Sequence, residues 1–96
     1  MIPGTTTKLS ESTLASATSI DPKTDVIKVT GSTEIDTIIP HFSVPFSGLL
    51  ILIPVDGTIV LGTTGNILVG ISAVINRAVW LTYVKSLGKW VINSGV

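Results

Sequence analysis

Short apolar runs alternate along the chain with turn-forming clusters, and the runs have the length of strands rather than helices. The densest block is residues 46–70, FSGLLILIPVDGTIVLGTTGNILVG, where Pro54, Asp56-Gly57 and the Gly62-Thr63-Thr64-Gly65-Asn66 cluster separate three runs. Residues 49–53 are continuously apolar and 58–61 nearly so, a pattern that fits strands covered on both faces better than a sheet with one wetted side. In so small a protein the second cover is expected from another chain.

Before this block, residues 1–13 are polar with isolated apolar positions and read as an extended arm. At about 3.3 Å per residue the arm would span roughly 40 Å, enough to reach a neighbouring subunit. Residues 14–20, 25–30 and 34–39 follow as strand candidates, with turns at Asp21-Pro22-Lys23-Thr24 and Gly31-Ser32; proline pre-sets φ there and aspartate bonds its own backbone. In the third candidate Ile35, Thr37 and Ile39 should share one face, and Glu34, Asp36 and Ile38 the other. Residues 40–45 hold two prolines and read as a loop.

Strands are predicted next over 47–53, 57–61 and 66–69, with Asp56-Gly57 as a hairpin signal and Gly65-Asn66 as a weaker one. Residues 70–76 read as a turn or a short strand. Residues 77–85 set Ala78, Trp80, Thr82 and Val84 against Val79, Leu81 and Tyr83, a long strand with large side chains on both faces. Ser86-Leu87-Gly88 turns it back into a last strand over 89–93. About eight short strands with no long helix predict an all-β fold, a small antiparallel sandwich or barrel of jelly-roll type, with the arm at its N-terminus. Their spacing is too irregular for a solenoid repeat.

The 96 residues leave room for one domain, 14–96, behind the arm. A chain of this length buries only about 60 to 65% of its unfolded surface, so it needs a staple or a partner. There is no cysteine, which excludes disulfides and thiolate zinc sites. With 12% charged residues and a mean hydropathy of +0.66, assembly is the expected source of extra stability. The net charge is zero and the pI about 6.5, which gives no pull toward nucleic acid or an anionic membrane. The apolar block is broken far short of the roughly 20 residues a membrane helix needs, and the first residues lack the basic start and apolar core of a signal peptide. The protein is expected to be made and used without export.

Candidate chemistry is sparse. His41 lies near Asp36, Ser43 and Ser47, the residue types of a nucleophilic triad but without a nucleophile elbow. Gly62-Thr63-Thr64-Gly65 has the glycines of a phosphate cradle without the lysine or the helix, and reads as a turn. Trp80, Tyr83 and Trp90 form either a sugar platform or part of the core. Arg77, Lys85 and Lys89 read as a solvated edge that discourages sheet-to-sheet association. No catalytic, cofactor or metal residues are assigned.

The order of Val26-Ile27-Lys28-Val29-Thr30-Gly31, Ile35-Asp36-Thr37-Ile38, Gly48-Leu49-Leu50-Ile51-Leu52, Thr58-Ile59-Val60-Leu61, Gly65-Asn66-Ile67-Leu68 and Trp80-Leu81-Thr82-Tyr83 to Gly88-Lys89-Trp90-Val91 resembles a β-rich module of tailed-bacteriophage structural proteins. Such modules stand at the ends of tail fibres and other virion appendages, and similar small domains decorate capsids, commonly as trimers. The resemblance implies a non-enzymatic homotrimer on the capsid surface, with the major capsid protein as partner. Ile2, Pro3, Lys8 and Leu9 would then lie in the capsid-binding arm, and Leu50, Leu52, Ile59 and Leu61 at the interface between protomers. The alternative it implies is a tail-fibre or tail-tip domain that binds a host-surface glycan through Trp80, Tyr83, Trp90 and His41.

Overall fold

In the β-branched run Val26–Thr30, Ile27 and Val29 are fully buried, while Val26, Lys28 and Thr30 are half-buried on the opposite face. This is the alternation of a strand packed on one side and partly covered on the other. The computed structural model describes residues 10–40 and 48–92, and among them every regular element is a strand. The strands are β1 (Glu11–Ala15), β2 (Ser19–Ile20), β3 (Val26–Thr30), β4 (Thr37–Ile38), β5 (Gly48–Pro54), β6 (Ile59–Leu61), β7 (Ile71–Ala73), β8 (Val79–Val84) and β9 (Lys89–Ile92). The protein is all-β.

Five of them form one sheet in the order β1-β3-β5-β8-β9. The pairs β1/β3 and β3/β5 are parallel, and β5/β8 and β8/β9 antiparallel, so the sheet is mixed where the turn signals predict antiparallel pairing throughout. Parallel neighbours cannot be joined by a tight hairpin and need a crossover. Here the crossovers are strands themselves. After β1 the chain leaves the sheet for β2, returns as β3, leaves again for β4 and returns as β5. β2 and β4 pair in parallel, and Ile35 bridges Leu61 in parallel, so the segments outside the sheet also stack in order. The chain winds as successive coils around one core.

The coils are unequal. Glu11 lies beside Val26 and Val26 beside Ile51, fifteen and then twenty-five residues further on. No fixed period marks such windings, which is why the spacing reads as non-repetitive. The turn signals also act differently from expectation. Asp56-Gly57 closes no hairpin: β5 pairs with β8, and β6 with β7. Asp56 Oδ2 instead accepts the Gly31 N–H at 3.0 Å across the corner of two coils, where Gly31 has φ +76°. Of residues 34–39 only Thr37–Ile38 is a strand. Ile35 and Ile38 are both buried and Ile39 is 44% exposed, so the expected two-residue alternation breaks. The backbone there switches partners, from β6 through Ile35 to the β2 side through Asp36 and Thr37, whose N–H groups both donate to the Thr18 carbonyl. Of the expected arm, Glu11 to Thr13 belong to β1, and residues 1–9 lie outside the described ones.

The core gathers Ile27, Val29, Leu50, Leu52, Leu81 and Tyr83 from the sheet and meets Ile20, Ile38, Ile59, Leu61 and Ile67 from the other segments. Trp90 closes it. Its ring is fully buried, edge-on to Tyr83 with centroids 5.3 Å apart, and its Nε1 donates to the Ile38 carbonyl at 2.9 Å. Asn66 holds the same residue from both ends: its Oδ1 accepts the Ile38 N–H at 2.8 Å and its Nδ2 donates to the Ile38 carbonyl at 2.7 Å. Residues 66–69, expected as a strand, contribute this side-chain clasp and a bridge from Ile67 to Trp90. Gly65 lets the backbones approach, since a Cβ there would overlap the Asp36 carbonyl oxygen and Thr37 Oγ1.

Two stability predictions follow from the clasp. Trp90→Ala should lower unfolding free energy by about 3–5 kcal/mol through cavity formation, and Trp90→Phe by a smaller ~1–3 kcal/mol through loss of the indole donor. Urea titration checks the order; equal midpoints for the two variants would contradict it. Asn66→Asp should cost about 1–3 kcal/mol, because the carboxylate has no donor for the Ile38 carbonyl and sets a negative charge beside it. Lowering the pH below the carboxylate range should recover part of the loss.

Candidate functional site

The two faces of the five-stranded sheet differ in what covers them. Inward residues of β5 and β8 are closed off by the other coils. Outward residues form rows set by the register: Glu11, Val26, Ile51 and Trp80 in one, Thr13, Lys28 and Ile53 in the next, and Leu49, Thr82 and Val91 in a third. Ile51, at the centre, is only 7% exposed. Trp80 beside it is 45% exposed. Val26, Leu49, Ile53 and Val91 are half-buried. The result is a face of half-buried apolar residues with Trp80 exposed among them, and among the described residues its ion pair is Lys28 with Glu11, at 3.6 Å and open to solvent, a type that adds little stability.

A second feature lies where Ile35 meets β6. The Ile35 N–H donates to the Val60 carbonyl and its own carbonyl accepts the Gly62 N–H, both at 2.9 Å. Glu34 and Asp36, two apart in an extended stretch, point the same way, toward Gly62. A Cβ on Gly62 would overlap Asp36 Oδ1 and Glu34 Oε2 together, so the two carboxylate oxygens converge on one point. Asp36 Oδ1 is out of contact with water and has no donor among the described residues. What faces it is another acceptor, and a proton held between the two carboxyls turns that contact into a hydrogen bond. The Glu34 carboxyl is accordingly held above the usual range, first by this hydrogen bond to Asp36, then by the Asp36 charge, and last by desolvation.

This pair can share a proton, but the residues expected to complete a triad with Asp36, namely His41, Ser43 and Ser47, lie outside the described ones. Among the described residues no group of three or more His, Cys, Asp or Glu could hold a metal ion.

The other expected site residues are distributed as follows. Leu50, Leu52, Ile59 and Leu61 are buried within the single chain, so their side chains pack the protomer's own core. Of the outward residues of the same run, Leu49 and Ile53 are half-buried and Ile51 is buried. Ile2, Pro3, Lys8 and Leu9 lie outside the described residues. Tyr83 and Trp90 are core residues, which leaves Trp80 as the exposed member of the aromatic trio. The Gly62 to Gly65 stretch is a bend. Lys89 is half-buried and its Nζ donates to the Gly65 carbonyl at 3.3 Å, while Arg77 and Lys85 are exposed. Residue-type pattern missed the outward row of Val26, Ile51 and Trp80. The unbroken apolar run 49–53 was its signal, since a strand with no polar alternation has two apolar faces.

The folded chain holds the Glu34 proton more tightly than the unfolded chain does. The stability contributed by the shared proton is therefore fully present below the ordinary glutamate range and lost as pH rises through the raised value. Glu34→Gln, whose amide donates at every pH, should unfold at a higher temperature than the parent at neutral pH and lose that advantage toward about pH 4. Thermal melts across this interval check it; a pH-independent difference would refute proton sharing. No family model matches the chain, and no curated protein or solved structure is similar to it.

Proposed function

We propose that the chain is a structural component of a tailed-bacteriophage virion, a decoration protein that binds the head surface as a trimer and stabilises the capsid. The observation that supports this reading is the exposed Trp80 on an outer sheet face whose Val26, Leu49, Ile53 and Val91 are half-buried. Many copies, each adding non-covalent contacts to the major capsid protein, would hold a shell together without covalent cross-links, and a multivalent oligomer gains effective concentration from each contact it makes. Residues 1–9, with Ile2, Pro3, Lys8 and Leu9, would supply the capsid contact, leaving β1 intact.

Trp80 also supports a second reading, a tail-fibre or tail-tip domain that stacks its exposed indole on a host-surface sugar. Glycan-array binding lost in Trp80→Ala with folding preserved would favour it.

Co-sedimentation with heads lacking the protein tests the first reading. Saturable binding at a fixed copy number is expected. Deleting residues 1–9 should abolish it while leaving the fold unchanged by circular dichroism. Cutting further, into Glu11–Ala15, would remove a sheet strand and confuse the two effects. Undiminished head binding by the truncated protein would reject the arm, and binding to tails or cells alone would reject decoration.

A further inference from the structure

We infer that the Asp56–Gly57 peptide is a site of self-modification, where the chain converts aspartate to isoaspartate and in doing so releases a tie between two of its corners.

The fold does not require a glycine at 57. Among the described residues the glycines with positive φ are Gly31 and Gly88, and Gly62, Gly65 and Gly70 stand where a Cβ would overlap a neighbouring atom. A Cβ at 57 would meet nothing within 4 Å. The missing side chain has a chemical effect instead, because it leaves the Gly57 amide nitrogen open to the Asp56 carboxyl beside it. Asp56 is exposed within the bend over 55–57, and no backbone carbonyl among the described residues accepts the Gly57 N–H. The other aspartates are placed differently. Asp21 precedes Pro22, which has no N–H. Asp25 and Asp36 precede Val26 and Thr37, β-branched residues whose N–H groups donate to the Ser10 and Thr18 carbonyls.

In the first step the Gly57 nitrogen attacks Asp56 Cγ and a bond forms between them. One carboxyl oxygen leaves as water, taking the N–H proton and the carboxyl proton, and a five-membered succinimide remains. Water then adds at the α-carbonyl, whose bond to the Gly57 nitrogen breaks. The main chain now runs through Cβ and Cγ, and the free carboxylate sits directly on Cα. One water is lost and one regained, so mass and net charge are unchanged and no other reactant is needed. Since the oxygen leaves most readily from a protonated carboxyl, the reaction slows as pH rises above the carboxylate range.

The product cannot keep the tie that the aspartate makes. Asp56 Oδ2 accepts the Gly31 N–H at 3.0 Å, joining the corner after β5 to the corner after β3. The isoaspartate carboxylate is one carbon nearer the main chain, and the main chain is one carbon longer, so the acceptor is withdrawn from Gly31. The β3–β5 ladder, whose register ends at Val29 and Pro54, lies before the modified bond and is retained. The corner loosens while the sheet stays paired.

Ageing the purified full-length chain at mildly acidic pH tests this, with isoaspartate located by mass-spectrometric fragmentation and the Gly31 amide followed by hydrogen exchange. A reaction that waited for global unfolding would run slower than in urea by a factor on the order of 10³ or more; the exposed bend should instead react within about tenfold of the urea-unfolded chain. Gly57→Val should fold as the parent does and lose the product, and Gly57→Ala serves if the valine variant fails to fold. Isomerised chains should exchange the Gly31 N–H faster than the parent while Ile27 and Val29 stay protected. Absence of isoaspartate at 56 in the folded chain under conditions where the unfolded chain forms it, or isomerised chains whose Gly31 N–H exchanges as slowly as the parent's, would overturn the inference.

Discussion

A parallel pair of strands cannot be closed by a hairpin, and the arrangement of this protein follows from that constraint. Once β3 lies parallel to β1, the chain between them has to travel back along the molecule, and with so few residues it does so through a two-residue strand rather than a helix. The same holds between β3 and β5. The return segments then lie one above another, β2 against β4 and Ile35 against Leu61, and their apolar residues supply the side of the core that the sheet cannot supply for itself. Burial of Ile20, Ile35 and Ile38 is thus a consequence of how parallel strands must be connected.

Coils alone leave an open end, and the C-terminal third closes it. The β8–β9 hairpin adds antiparallel strands to the sheet, turning at Gly88, whose φ of +63° suits the residue without a Cβ. The hairpin carries Trp90 inward to the Ile38 carbonyl, which Asn66 also grips. A carbonyl has two lone pairs, and here both donors come from side chains of a later segment. The second coil is pinned by residues that follow it by nearly thirty and by just over fifty positions.

Much of the strand content was legible in the sequence. Val26–Thr30, Gly48–Pro54, Val79–Val84 and Lys89–Ile92 all lie in runs whose β-branched, aromatic and alternating residues announce them. Pairing was not legible, because the turn residues that mark a hairpin also mark a corner: Asp56-Gly57 has the chemistry of a tight hairpin, yet its carboxylate serves the neighbouring coil through Gly31. Nor was the inward or outward sense of residues 49–53, where every position is apolar and alternation gives no phase. Leu50 and Leu52 took the core, and Ile51, also buried, faces the other side of the sheet. The Glu34–Asp36 pair was visible only as two nearby acids, since their convergence depends on Gly62, a residue more than twenty-five positions away.

The unequal coils carry a further consequence. The first coil advances fifteen residues and the second twenty-five, yet each sets the next strand in full register. Loop-closure entropy rises only with the logarithm of length, so the ten extra residues cost about half a kcal/mol. Lengthening or shortening a return is therefore nearly free so long as the residues that face the core keep their places. Relatives of this fold can diverge in length at every corner and still share each strand contact, and their kinship would lie in which residues meet and not in how many separate them.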